Sequence, residues 1–286
     1  MELGISAGAG TEAPRQAVTE HILALADQAG YGAPLINAAP QGSGEAHVIT
    51  WPQFARLVRA AAHGLSRRGL REGDKAGIFV QDAVSHAVAV HAVRAAGAVA
   101  LPVSPAQTAA DVAARLKQGR ARLLITSAPL AELAIQAAER SWVRQVFAFG
   151  EAEGTTPFGS LLDTGRPGQL QADGSAAHNG HAASAQVLDL ARGPDVAQVL
   201  DLDRLMLDRQ VPRLTRRDVV VAAPPCGDPD VYTSLLDWAL AAGATVVAAP
   251  LPQVAAAVGV YEGTAVIVPH GTDVPGLPAE RVFTAG

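Results

Sequence analysis

The chain has 286 residues, 49% of them hydrophobic and 17% charged, which suits one large domain or two small ones and excludes a globally disordered protein. With 22 basic against 27 acidic side chains, its formal net charge is −5, so it lacks the overall cationic character that a main partner of nucleic-acid type requires. The single cysteine, Cys226, excludes an internal disulfide and points to a reducing compartment.

The first thirty residues show no basic stretch followed by an apolar one, and His91 and Arg94 interrupt the apolar run from Ala87 to Leu101. Neither a leader nor a membrane span is predicted, and a cytoplasmic location is expected. From Pro14 to Gln28, Val18, Ile22 and Leu25 recur at helical spacing, ahead of Gly30 and Gly32. The next helix is marked more sharply. Thr50 and Gln53 have the form of a capping box, Pro52 sits in the first turn, and Phe54, Leu57, Val58, Ala61 and Leu65 make one apolar face, closed by Gly69.

A βαβ pattern comes after it. Strands are predicted over Ala76–Gln81, Ala98–Val103, Arg122–Thr126 and Gln145–Phe149, alternating with helices over Ser85–Ala96, Thr108–Gln118 and Leu130–Glu139. Such alternation predicts a parallel sheet covered by helices on both faces. Residues 150–184 turn to Gly, Ser, Thr, Asp and Asn with few large apolar residues after Leu162, and 164–184 read as a linker or long loop. A second α/β block comes next, with strands at Val196–Leu200, Val219–Ala222, Thr245–Ala248, Ala265–Val268 and Arg281–Thr284, and helices at Leu202–Gln210 and Val231–Ala242. The organisation expected is a first lobe over 1–163, the linker 164–184 and a second lobe over 185–286. The second lobe has too few strands to bury a sheet alone and should pack on the first.

Several pieces of the chain, in order, form a pattern: Thr50-Trp51-Pro52-Gln53-Phe54, then Gly69-Leu70-Arg71-Glu72-Gly73-Asp74-Lys75 and Gly77-Ile78-Phe79-Val80-Gln81-Asp82. They are succeeded by Arg94-Ala95-Ala96-Gly97-Ala98-Val99-Ala100-Leu101-Pro102-Val103-Ser104-Pro105 and Leu123-Leu124-Ile125-Thr126. Together they resemble the N-terminal domain of the adenylate-forming acyl/aryl-CoA synthetases of the 4-coumarate:CoA ligase type. The resemblance implies an α/β fold, a parallel helix-covered sheet of that N-terminal-domain type with a truncated second α/β lobe.

In such enzymes a Gly/Ser/Thr-rich loop ending in Pro-Lys-Gly holds the ATP phosphates through backbone N–H groups and hydroxyls. The approach to it is matched here by Gly193-Pro194-Asp195-Val196-Ala197-Gln198-Val199-Leu200. At the loop position itself the chain has Asp201-Leu202-Asp203-Arg204-Leu205-Met206-Leu207-Asp208-Arg209, with no Gly, Ser, Thr or Lys. Side chains there block close backbone approach, and Asp201, Asp203 and Asp208 repel phosphate. Further on, Asp228 stands where the family's pocket-lining segment has His, and Val231 where it has Gly. The family's adenine-contacting Tyr-Gly-x-Thr-Glu segment and its mobile C-terminal domain have no counterpart in these residues, and no lysine occurs beyond Lys117. Losing one group that stabilises charge on the transferring phosphoryl costs about 3–4 kcal/mol, so losing them together removes this route to an acyl-adenylate.

The resemblance therefore implies a degenerate, non-adenylating relative retained as a binding or interaction module in acyl or polyketide biosynthesis, with no cofactor. Its expected partners are a biosynthetic synthase, a carrier protein or a complementary ligase half, and a homodimer would cover apolar surface left by a short second lobe. Two alternatives stay open. One is an enzyme acting on an acyl or aryl substrate without ATP, with Cys226, Asp228, Tyr232 and His270 near its site. The other is one subunit of a split ligase.

Other constellations carry blander readings. Cys226 lacks a base or positive field and has Asp228 and Asp230 beside it, which would raise its pKa, so it reads as a loop residue. His178 and His181 lack a nearby third ligand, so no metal site is predicted. Asp82 and His86 read as helix capping and surface chemistry, and Ser104 has no acid–base partner. The Asp/Arg run from Asp201 to Arg217 reads as a solvated helix face or a docking surface.

Overall fold

In the computed structural model the described residues are 12–28, 32–38, 46–163 and 213–285. The linker 164–184, the strand at 196–200, the helix at 202–210 and the His178–His181 pair lie outside them.

The chain enters through helix α1 (Glu12–Gln28) and two short strands, β1 (Leu35–Asn37) and β2 (His47–Ile49). Helix α2 (Trp51–Arg67) starts at the capping box: the Gln53 N–H donates to Thr50 Oγ1 at 3.4 Å, and the Thr50 N–H donates back to Gln53 Oε1 at 2.9 Å. Phe54, Val58, Ala61 and Leu65 are its buried stripe. Gly64 sits in that helix because the backbone of Leu161 presses against it, leaving no room for a Cβ.

The alternating unit then runs β3 (Lys75–Phe79), α3 (Ala83–Ala95), β4 (Val99–Pro102), α4 (Ala109–Gly119), β5 (Ala121–Ser127), α5 (Ala131–Glu139), β6 (Gln145–Phe149) and β7 (Thr156–Pro157). These strands form a parallel sheet in the order β4-β3-β5-β6-β7. After residue 213 come β8 (Val219–Ala222), α6 (Pro229–Ala241), β9 (Thr245–Ala248), α7 (Val254–Val260), β10 (Ala265–Val268) and β11 (Val282–Thr284). The second sheet has the order β11-β10-β8-β9-β1-β2, with only the β1–β2 pair antiparallel. It thus takes two strands from the N-terminal segment that chain order assigns to the first lobe.

The predicted strands and helices of the described regions appear within a few residues of their expected bounds. The sequence reading missed β1, β2, β7 and α7: two or three residues are too short to show a period of two, and the Ala-rich α7 has a weak stripe.

Helices α1, α2, α3 and α6 fill the space between the two sheets. One core contains Val18 and Ile22 of α1, Phe54 of α2, Ile78 of β3, Val93 of α3, Tyr232 of α6 and Val246 of β9. The outer face of the first sheet is closed by Val112 and Leu116 of α4 and Ala134 and Ala137 of α5. The outer face of the second sheet is closed by Val254 and Ala257 of α7. The two lobes therefore share one interior. Among the described residues, no helix is long and apolar enough to cross a membrane.

Where α3 meets α6 the interior is polar. Arg94 Nη1 donates to Asp237 Oδ2 at 2.6 Å, with both side chains 3% exposed, and His91 Nε2 lies 3.5 Å from Asp237 Oδ1. His91 Nδ1 pairs with Thr19 Oγ1 of α1 at 2.9 Å. The Thr233 hydroxyl gives its proton to the Pro229 carbonyl at 2.7 Å, so at 2.8 Å it can only accept from His86 Nε2–H. Burial pushes His86 down to about 3 and His91 down to about 4, keeping both imidazoles neutral at physiological pH.

Candidate functional site

Parallel pairing puts the ends of β8, β9 and β10 at one edge, since Ala222 faces both Ala248 and Ile267. The loops that leave this edge, and the first turn of α6, hold the site residues predicted from the sequence.

Cys226 is half-buried against the shared core, and burial pushes its thiol up to about 11. The rise was expected, but its cause is loss of solvent rather than the neighbouring carboxylates, both of which are engaged elsewhere. Asp228 is the N-cap of α6, accepting from the N–H groups of Asp230 at 2.8 Å and Val231 at 3.2 Å. Asp230 takes Arg115 Nη2 at 2.8 Å, while Arg115 Nε donates to the Pro102 carbonyl at the end of β4 at 2.9 Å. That bridge ties the start of α6 to the first sheet.

Tyr232 is fully buried, its hydroxyl donating to the Ala223 carbonyl at 2.8 Å and its ring meeting the His86 edge at 5.3 Å. Burial raises its phenol well above the ordinary value. His270 is exposed in the turn after β10. The structure therefore gathers Cys226, Asp228 and Tyr232 on one loop and helix start, with His270 on a neighbouring loop.

Asp82 caps α3 as predicted, accepting from the Ser85 N–H at 2.8 Å. His86 is a correction: it is 1% exposed and belongs to the seam with α6 rather than to the surface. Ser104 is buried, its hydroxyl accepting from the Ala106 N–H at 3.4 Å. The sequence reading also missed the His91, Arg94, Asp237 and Thr233 cluster as a unit. Its signal was present: a charged residue in the C-terminal half of each of two largely buried helices, Arg94 in α3 and Asp237 in α6.

Chemically the site is quiet at neutral pH. Cys226 and Tyr232 keep their protons, and the Asp228 carboxylate is held by backbone donors. Among the described residues, no three His, Cys, Asp or Glu side chains gather in a metal-binding arrangement. The described segments 80–82, 103–108, 150–155, 223–228, 249–253 and 269–278, which leave strands, contain no Lys or Arg, and they carry Asp82, Glu151, Glu153, Asp228 and Asp273. The start of α6 already has carboxylates against its N–H groups, so it has no vacancy for an anion. These described segments offer no basic side chain to a nucleoside triphosphate. Residues 201–209, at the phosphate-loop position, lie outside the described ones.

The chain is 34% identical over 116 residues to 4-coumarate--CoA ligase-like 3 from Oryza sativa subsp. japonica, a match covering 40% of this chain and 19% of the rice protein. Its fold is that of a long-chain-fatty-acid-CoA ligase from Archaeoglobus fulgidus, with a TM-score of 0.65 at 18% identity over 88% of this chain and 51% of that one. A benzoate CoA ligase from Burkholderia xenovorans LB400 gives a TM-score of 0.65 at 18% identity, over 93% of this chain and 54% of that one. The chain thus spans about a fifth of its rice relative and about half of these solved structures. Its parallel, helix-covered sheets are those of an acyl-CoA ligase N-terminal domain. A match to the AMP-binding enzyme family extends over residues 27–187, more than half of the sequence, and the chain belongs to that family.

Proposed function

We propose that this chain is a non-adenylating member of its family, kept as a binding or interaction module that serves acyl or polyketide biosynthesis. The observation that carries the reading is the run from Asp201 to Arg209, which stands where the family places its phosphate-gripping loop and contains no Gly, Ser, Thr or Lys. A loop of that kind works by bringing bare backbone N–H groups to the phosphate oxygens, and a run with a side chain at every position and three aspartates cannot. The described strand-end loops support the same reading, since they add carboxylates and no basic side chain. The candidate contacts for an acyl or aryl group held without activation are Cys226 and Asp228 at the α6 start, with His270 exposed on a neighbouring loop.

The test is carboxylate-dependent ATP–pyrophosphate exchange by the purified chain, alongside calorimetric titration with magnesium-ATP. No exchange and no saturable nucleotide binding are expected. Exchange with any fatty or aromatic acid would overturn the proposal. An enzyme working without ATP draws no support from the site, because its thiol and phenol are protonated and its carboxylate is already engaged.

A further inference from the structure

The opposite edge of the first sheet has another character. Register places Lys75, Ala121 and Val99 side by side, with Gln145 opposite Leu123, so β3, β4, β5 and β6 all begin at this edge. Helices α2, α4 and α5 end there, because each runs back against its strands. The edge carries both lysines of the chain, Lys75 and Lys117, and the exposed Arg71, Arg120, Arg140 and Arg144. Asp74 is already engaged by Arg122 Nη1 at 3.2 Å and by the Arg71 N–H at 2.9 Å, leaving Glu72 and Glu139 as the other acidic groups on these turns. A net-acidic chain thus has a rim of reversed sign.

Trp142 stands in that rim, between Arg140 and Arg144. It is 66% exposed, whereas the other two tryptophans, Trp51 and Trp238, are 5% and 7% exposed. Favourable interaction with helix C-termini accounts for Lys117 and Arg140. It does not account for an uncovered indole or for Arg120. Arg120 ends α4 at φ 54, in the left-handed region where glycine is the unstrained choice. The chain uses an arginine there despite the conformational cost and so places a guanidinium on the rim.

We propose that this rim is a docking surface for an acidic protein face, with Trp142 as the buried anchor and Arg120, Arg140 and Arg144 pairing with carboxylates around it. Tryptophan and arginine are the residue types that dominate binding energy at protein interfaces. The net charge of −5 opposes the approach of an extended polyanion and leaves a local, geometrically matched contact as the favoured mode. The rim lies at the other end of the strands from the Cys226 loop, so the proposal stands whether or not that loop binds an acyl group.

Because Trp142 is the one exposed tryptophan of the three, its fluorescence reports on the rim. The test titrates the full chain with an amphipathic helical peptide of Glu and Leu, with its Lys/Leu counterpart and with a single-stranded DNA oligonucleotide, reading the emission shift and acrylamide quenching. The acidic peptide should shift Trp142 to the blue, protect it from quencher and bind more weakly in added salt. Binding should fall about tenfold in Arg144→Glu and severalfold in Arg120→Gly. The glycine variant relieves backbone strain, so its unfolding midpoint should stay equal or rise, which separates lost docking from lost folding. Binding of the oligonucleotide but not the acidic peptide would overturn the proposal in favour of nucleic acid. Protection that grows with protein concentration alone would assign the rim to a second copy of the chain. No binding of the acidic peptide, or binding unchanged in both variants, would also overturn it.

Discussion

The two faces of the first sheet are closed in opposite ways. On the outer face, α4 and α5 lay Val112, Leu116, Ala134 and Ala137 over Phe79, Val103 and Leu124, and neither helix buries a charged side chain. On the inner face, α3 carries His86, His91 and Arg94 into the seam with α6, where Thr233 and Asp237 meet them. Apolar contact is non-directional, and a neighbouring arrangement of the same side chains serves nearly as well. A buried ion pair and hydrogen bonds are satisfied in one arrangement only, and every other leaves a charge without a partner in low dielectric. The outer face therefore contributes stability. The seam also decides how the second sheet sits on the first, and with it where the Cys226 loop lies relative to Asp82.

Breaking the seam at its centre should have the largest effect. Arg94→Met strands the Asp237 carboxylate and should cost about 3–5 kcal/mol in urea unfolding, whereas Arg94→Met combined with Asp237→Leu should recover most of that loss. A double variant as unstable as the single one would show that the ion pair does not set the fit. On the apolar side, Leu116→Ala should cost about 2–5 kcal/mol, a cavity penalty that does not change between pH 7 and pH 5.

Acid should separate the faces further. The unfolded chain protonates its histidines near the ordinary value of 6.5, while His91 and His86 in the seam are depressed to about 4 and about 3 by burial. The unfolded state then binds more protons throughout that interval. The stability tied to neutral imidazoles is complete above pH 6.5 and is lost as pH falls toward 4 and then 3, on the order of a few kcal/mol. Urea midpoints measured across this window should fall for the parent chain and flatten in a His86→Gln/His91→Gln variant.

Smaller effects belong to the site beside the seam. Tyr232→Phe leaves the buried Ala223 carbonyl without its donor and should cost about 1–3 kcal/mol. Asp228→Ala removes the cap of α6 and should cost about 1 kcal/mol, detectable as a lowered melting temperature with the fold retained. A loss well beyond that would mean Asp228 does more than cap.

Much of this architecture is legible in short stretches of sequence. The Thr50–Gln53 box, the glycine after α2 and the alternating apolar runs are local signals, and each produced its element within a few residues. Asp82 as a cap was readable for the same reason, because a carboxylate three residues ahead of an N–H satisfies it whatever surrounds the helix. His86 was not: whether an imidazole four residues into a helix meets water or another helix depends on what packs there. The Cys226 thiol shows the same limit, since the direction of its shift agreed with its neighbours while the actual cause, burial, came from packing against the shared core.

The order of residues determined the helices, the parallel pairing and the chemical poverty of the strand-end loops, because propensity, periodicity and residue type act over a few positions. Only the folded arrangement decided that β1 and β2 complete the second sheet, that Arg94 finds Asp237 across 143 positions, and that basic residues after α2, α4 and α5 share the sheet edge where Trp142 stands. These are meetings between distant segments. They depend on burying shared surface and satisfying buried charge at once, conditions that no single stretch of chain contains.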